Sequence, residues 1–180
     1  MNDFSLPSVY LGLLVVLLLI AAVVLFRQVF KTRRTESTFS RLQSKLTKQK
    51  GTAQEYYELA SIYLDKKLYA QAATLLKKAL KAKDLEGNEN VALIQNALGY
   101  SYACQEQYDS AIRQYKEALE QSPDYVVALN NLGFAYEKKQ LITQALEAYE
   151  KASSIDPKNG TAKRRSESLR KRVAPSTNGK

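Results

Sequence analysis

Seven positions between Leu98 and Pro157 recur at a single spacing. Leu98/Leu132, Gly99/Gly133, Tyr102/Tyr136, Ala111/Ala145, Tyr115/Tyr149, Ala118/Ala152 and Pro123/Pro157 all lie 34 residues apart. An earlier copy carries Leu59, Ala60, Tyr63, Ala72, Leu76 and Ala79, 39 residues ahead of the second. The five extra residues fall in "DLEGNEN" (Asp84–Asn90), where Gly87 and Asn88 are turn formers. Each copy holds two helix-length apolar patterns with a short break between them, "DKKLYAQA", "QEQYDSA" and "KKQLITQA" in turn. A period of this length points to stacked units, each covering the apolar face of its neighbour.

Glycine inside a helix costs about 1 kcal/mol relative to alanine. Its recurrence at Gly99 and Gly133, with Ala60 in the first copy, therefore points to two helices crossing closely. Ala72, Ala111 and Ala145 are expected to face that crossing from the second helix. Large buried neighbours such as Leu98, Tyr102 and Tyr115 offset the cost, at about 1.5–3 kcal/mol each. This helix–turn–helix unit resembles the tetratricopeptide repeat across residues 53–159. The resemblance implies an all-α fold, a right-handed α-solenoid of three helix pairs over 53–86, 92–125 and 126–159. A C-terminal capping helix is expected over 160–174, "GTAKRRSESLRKRVA", with Ala162, Leu169 and Val173 turned inward. Lys163, Arg164, Arg165, Arg170, Lys171 and Arg172 then form a solvated outer face, and 175–180 reads as a disordered tail.

Ahead of the repeats, "FSLPSVYLGLLVVLLLIAAVVLF" (Phe4–Phe26) runs 23 residues without a charge. As a helix it would span roughly 34 Å, against about 30 Å of bilayer hydrocarbon. Its N-terminal flank holds Asp3 and no Lys or Arg, unlike a cleaved signal peptide, so 6–30 reads as a single transmembrane anchor. The net charge of +9 divides into −1 for 1–26, +7 for 27–52, −3 for 53–159 and +6 for 160–180. Arg27, Lys31, Arg33 and Arg34 follow the span directly. They would keep the repeats on the cytoplasmic or stromal side, with the short N-terminus 1–5 across the membrane. Residues 31–52 read as a basic linker whose thin stripe, Phe39, Leu42 and Leu46, would dock on the first repeat or else lie on anionic lipid, docking being favoured because three apolar residues make a thin face. A nucleic-acid binder would carry a basic folded part, and this one is acidic, so no nucleic-acid partner is expected.

The chain has no histidine, one cysteine (Cys104), no phosphate-cradling glycine loop and no metal-ligand spacing. It therefore reads as a non-enzymatic binding protein without cofactor or small-molecule substrate. In tetratricopeptide proteins the first helices of successive repeats line a concave groove. Carried over residue by residue, that groove would show Gln54, Tyr57, Ser61 and Leu64, then Leu93, Asn96, Tyr100 and Ala103, then Val127, Asn130, Phe134 and Glu137. The pairs Asn96/Tyr100 and Asn130/Phe134 suit an extended peptide held by its main chain. An amide both donates and accepts, and an aromatic beside it offers apolar area with little rotamer entropy to lose. The alternative is that the asparagines solvate the groove or link adjacent repeats. Repeat proteins that clamp a chaperone's terminal carboxylate use basic and amide side chains on these helices. Here the places are Tyr57, Ser61, Ala97, Val127 and Asn131, none basic, so no such clamp is expected.

The order of anchor, basic linker, "EYYELASIYLDKKLYAQA", two further repeats and "TAKRRSESLRKR" resembles a photosystem I assembly family of cyanobacteria and plastids, hypothetical chloroplast reading frame number thirty-seven. The resemblance covers nearly the whole chain. It implies a non-catalytic, thylakoid-anchored factor that binds photosystem I subunits or assembly intermediates transiently. Two other readings stay open, a membrane-tethered peptide-binding scaffold for another membrane or envelope complex, and a lipid-surface protein acting through its basic flanks. The packing assignment is testable: Gly133→Leu should unfold the third repeat, seen as a lowered melting midpoint by circular dichroism. An unchanged midpoint would contradict it.

Overall fold

The computed structural model describes residues 6–173, and every regular element among them is a helix. The elements are α1 (Leu6–Lys48), α2 (Ala53–Asp65), α3 (Tyr69–Leu80), α4 (Asn88–Ala103), α5 (Tyr108–Gln121), α6 (Val126–Lys138), α7 (Ile142–Ile155) and α8 (Gly160–Val173). The expectations for 1–5 and 175–180 lie outside the described residues. The chain divides into two compact units, 1–45 and 46–180. In the first, α1 runs without a break through the apolar stretch and on through the basic stretch that follows. Its large apolar side chains from Tyr10 to Phe30 are all exposed, on every side of the helix. By length and composition α1 suffices to cross a membrane.

In the second unit each helix packs on its successor in the chain, from α2 through α8, and α4 also meets α6. That pattern is the quasi-linear stacking the sequence period demands. Two large apolar clusters result. One gathers Tyr56, Leu76, Ile94 and Leu98, with Leu46 against it. The other gathers Tyr115, Leu129, Leu132, Tyr149 and Leu169. Tyr102 packs against both and makes them continuous.

The start of the stack is fixed by hydrogen bonds. The Thr52 hydroxyl accepts from the Glu55 amide at 3.1 Å, and the Glu55 carboxylate accepts from the Thr52 amide at 3.2 Å. This reciprocal pair satisfies two otherwise orphaned donors at the N-terminus of α2. Asp84, which stands where the later repeats have Pro123 and Pro157, accepts from the Ala53 amide at 3.1 and 3.2 Å. It thus closes the first repeat back onto its own beginning.

The turns inside the repeats carry no glycine. Lys67, Glu106 and Gln140 instead adopt left-handed φ angles of 59°, 59° and 60°, a conformation costing a side-chain-bearing residue about 1–2 kcal/mol. The next amide in each case reaches back to the repeat tyrosine: Leu68 to the Tyr63 carbonyl (2.8 Å), Gln107 to Tyr102 (3.0 Å) and Leu141 to Tyr136 (2.9 Å). These bonds occupy helix-end carbonyls and reverse the chain within a few residues.

The helix crossing differs from the sequence expectation in one respect. Ala72, Ala111 and Ala145 are fully buried, but the groups nearest the glycines are rings one turn further along. A β-carbon at Gly99 would lie 2.6 Å from the Tyr115 ring, and one at Gly133 would lie 2.8 Å from the Tyr149 ring. Both rings are 1% exposed and have no room to swing away. In the first repeat the matching pair is Ala60 and Leu76, both fully buried in one cluster. A larger residue on the first helix therefore goes with a smaller one on the second, which conserves volume across the crossing.

At the far end α8 buries Ala162, Ser166 and Leu169. Val173, expected to turn inward, is exposed, because the last turn of α8 extends past its support. Arg165 and Arg170 are more than outward solvated charges. They pair with Glu137 at 3.5 Å and Glu150 at 2.6 Å, tying α8 to α6 and α7. The size matching at the crossing can be tested by a double-mutant cycle. Gly133→Ala alone should lose about 1–3 kcal/mol to overpacking, against a gain of about 1 kcal/mol in helix propensity. Adding Tyr149→Leu, which recreates the first repeat's pairing, should cost less than the sum of the two single changes. Additive melting shifts would refute the matching.

Candidate peptide-binding groove

The first helices of the three repeats, α2, α4 and α6, carry the residues the sequence assigns to the groove. The large exposed apolar side chains described on α4 and α6 are Leu93, Tyr100, Val127 and Phe134, at 37–51% exposure. All four belong to that groove set. They sit at the second and ninth positions of their repeats, the face turned away from the helix crossing at Gly99 and Gly133. Tyr100 meets the Tyr69 ring edge-on at 6.5 Å between centroids. Hydrogen bonding to the Cys104 thiol pushes the Tyr100 hydroxyl's pKa up, so it stays protonated and able to donate. The Lys138 ammonium lies 5.4 Å from the Phe134 ring centre.

On the first repeat Gln54 is exposed and Tyr57 half-buried. Together with Leu93 they line a pocket of about 140 Å³ between α2 and α4, closed below by Asp84–Glu86 of the inserted loop. The Ser61 hydroxyl donates back to its own helix, to the Tyr57 carbonyl at 2.9 Å. Leu64 is half-buried against the first apolar cluster, and Ala103 is buried in the second.

The two asparagines differ. Asn96 is buried, and its carbonyl accepts from the Asn131 amide at 2.9 Å while its own amide donates to the Tyr125 hydroxyl at 3.4 Å. It ties α4 to α6 and to the residue that precedes α6. The linking role, left open by the sequence, is the one its contacts show. Asn130 is half-buried, and its carbonyl oxygen is buried with no hydrogen-bond partner among the described residues. Such a group costs about 1–3 kcal/mol until an N–H reaches it. Glu137 accepts from the Tyr149 hydroxyl at 2.8 Å and from Arg165 at 3.5 Å, which binds α6, α7 and α8 together. Burial, and then Glu137 itself, raise the Tyr149 pKa, so this hydroxyl keeps the proton it donates.

Asn131 and Tyr125 escaped the sequence reading as partners of Asn96. Asn131 lies 35 residues after Asn96, one step off the repeat register. The only sequence signal was the doublet Asn130–Asn131 itself.

Helix pairs stacked at this period, with an exposed apolar face on their first helices, define a tetratricopeptide repeat protein, a scaffold for protein–protein contact. Residues 53–84 and 126–159 match the tetratricopeptide repeat family, and residues 99–140 match a TPR repeat family. The ycf37 protein of Cyanophora paradoxa is 42% identical over 84% of this chain and 87% of its own length. The chloroplastic tetratricopeptide repeat domain-containing protein PYG7 of Arabidopsis thaliana is 35% identical over 95% of this chain and 56% of its own. Among solved structures, the first TPR of Spaghetti (RPAP3), bound to an HSP90 peptide, has a TM-score of 0.63 at 17% identity. That likeness covers 71% of this chain and 97% of that one, and it concerns the fold alone. This chain belongs to the ycf37 family.

The division of labour between the asparagines yields a stability prediction. Asn96→Ala should cost about 1–3 kcal/mol, since it removes a buried side chain and leaves the half-buried Asn131 and Tyr125 without their partner. The double change Asn96→Ala with Asn131→Ala should cost less than the two singles added. Thermal melting of the four proteins decides it, and an Asn96→Ala midpoint equal to wild type would overturn the assignment.

Proposed function

We propose that this protein is a membrane-anchored scaffold that assists the assembly or stability of photosystem I. It would do so by holding a photosystem I subunit or assembly intermediate transiently in the groove. The observation that carries the reading is the row Leu93, Tyr100, Val127 and Phe134, large apolar side chains kept in water on successive first helices. Such residues gain about 25 cal/mol for each Å² of apolar area that a bound segment covers. Asn130 adds a side-chain amide in the middle of the row, whose buried, unpaired oxygen could accept a peptide N–H after a small turn of the side chain. Gln54 and Tyr57 extend the row onto the first repeat, and the pocket they share with Leu93 would receive one side chain of the guest. Asn96 and Glu137 act on the frame, not on the guest.

α1 supports the anchoring part of the reading. A single-pass helix in the thylakoid membrane would confine the groove to the plane in which its client is inserted, raising the effective concentration of one for the other. The basic flank after the span would hold the repeats on the stromal or cytoplasmic face. The photosystem I part rests on the family resemblance drawn from the anchor, linker and repeat phrases. The chloroplastic PYG7 relative agrees with the compartment. A solved domain of the same fold, the first TPR of RPAP3, is bound to an HSP90 peptide, so the fold is one that admits a peptide.

Tyr100→Ala with Phe134→Ala should lower the melting midpoint only modestly, because both side chains lie outside the buried clusters and are more than a third exposed. Recovery of photosystem I subunits with the tagged protein from solubilised thylakoids should fall about tenfold, roughly 1.4 kcal/mol. Deleting the gene in its host should lower photosystem I per chlorophyll, and the double variant should fail to restore it. Full recovery of the subunits by the variant would refute the groove. An unchanged photosystem I content on deletion would favour a scaffold for some other membrane complex.

A further inference from the structure

The second compact unit contains a larger cavity, of about 830 Å³, away from the groove residues. It is lined by Leu46–Thr52, by Tyr56 of α2, and by Lys78 and Lys81–Asp84 at the end of α3 and in the loop beyond. Five of its lining side chains are lysines: Lys48, Lys50, Lys78, Lys81 and Lys83. All five are exposed, and none forms an ion pair among the described residues. The one acid in the lining is Asp84, whose carboxylate is occupied by the Ala53 amide. Between the lysines lies an apolar floor. Leu46 and Tyr56 pack there in the first apolar cluster, and the Tyr56 hydroxyl accepts from the Gly51 amide at 3.1 Å.

Five like charges around one opening repel each other, and a face with that pattern lowers its energy by taking up negative charge. The lysines come from two separate stretches of chain, 48–50 and 78–83, and stand around an apolar surface. A single phosphate would meet only part of that ring. A segment of protein with several carboxylates about one aliphatic or aromatic side chain would match both the charges and the floor. We infer that this lysine-ringed cavity is a second docking site, which takes an acidic protein segment bearing an apolar anchor residue. The site shares none of the groove's exposed apolar row, although Asp84 lines both this cavity and the pocket beside Leu93. Its lysines are near ends of helices and in loops, where side chains adapt without disturbing the stack, and its affinity is electrostatic and falls with salt.

The full chain in a neutral detergent, titrated against a short dye-labelled peptide with leucine flanked by aspartate and glutamate, tests the site by fluorescence anisotropy. Saturable binding that weakens as salt rises is expected. Lys78→Glu with Lys81→Glu and Lys83→Glu should weaken it by more than about tenfold, and the Gln versions of the same three positions should fall between. Tyr100→Ala with Phe134→Ala should leave it unchanged, which separates this site from the groove. The inference is overturned if the peptide fails to saturate, or if the glutamate variant binds it as well as wild type. It is equally overturned if phosphatidylglycerol vesicles, and not the peptide, bind in a manner that the glutamate variant loses, since the lysines would then serve lipid.

Discussion

The repeat region depends on a contact between a helix position with no side chain and the ring of a tyrosine on the next helix. Gly99 under Tyr115, and Gly133 under Tyr149, let two helices approach until the ring lies against backbone. The ring is then sealed from water and acts as the centre of its repeat's core. Interiors are close-packed, so a β-carbon at either glycine would require a rigid, buried ring to move. The first repeat solves the same problem with different sizes, Ala60 and Leu76. What is kept from repeat to repeat is the summed volume, and the helix spacing follows from it.

That spacing decides which polar residues are structural. Tyr149 is buried by the contact with Gly133, yet its hydroxyl emerges beside Glu137 and donates to it. Glu137 in turn receives Arg165 from α8, so a groove position is tied to the end of the stack. In the same way the step from α4 to α6 brings Asn96 to Asn131 and hides it. The first-helix face is thus a polar frame that holds itself together, with four apolar side chains left exposed and one unmatched carbonyl oxygen, that of Asn130, buried among them. A rigid frame with few exposed anchors would suit the proposed holding of a guest, since little ordering is required on binding.

Much of this was legible in the residues. The period, the helix pairs, the glycine crossing and the long apolar helix follow from spacing and side-chain type, while the row at Leu93, Tyr100, Val127 and Phe134 follows from carrying the geometry of tetratricopeptide proteins onto these positions. The turns were not legible, because Lys67, Glu106 and Gln140 take a left-handed conformation that usually advertises itself with glycine. Nor could spacing show that Asp84 caps α2, a bond across 31 residues. Val173 read as inward because periodicity gives a helix its face but not the length of the surface beneath it.

The sequence by itself determined the class of fold, because a repeat of period 34 has one way to bury its apolar stripes and leaves fixed positions outside them. Tertiary structure alone decided which member of each pair of like residues is free. Asn96 and Asn130 occupy the same place in the repeat, but the first has a following α-helix that offers Asn131 and the second does not. Hydrogen-bond partners come from the neighbouring repeat, at distances of a few ångströms that no interval along the chain encodes. The lysine-ringed cavity is of the same kind: five residues from two stretches, 48–50 and 78–83, made neighbours by the packing of α2 and α3.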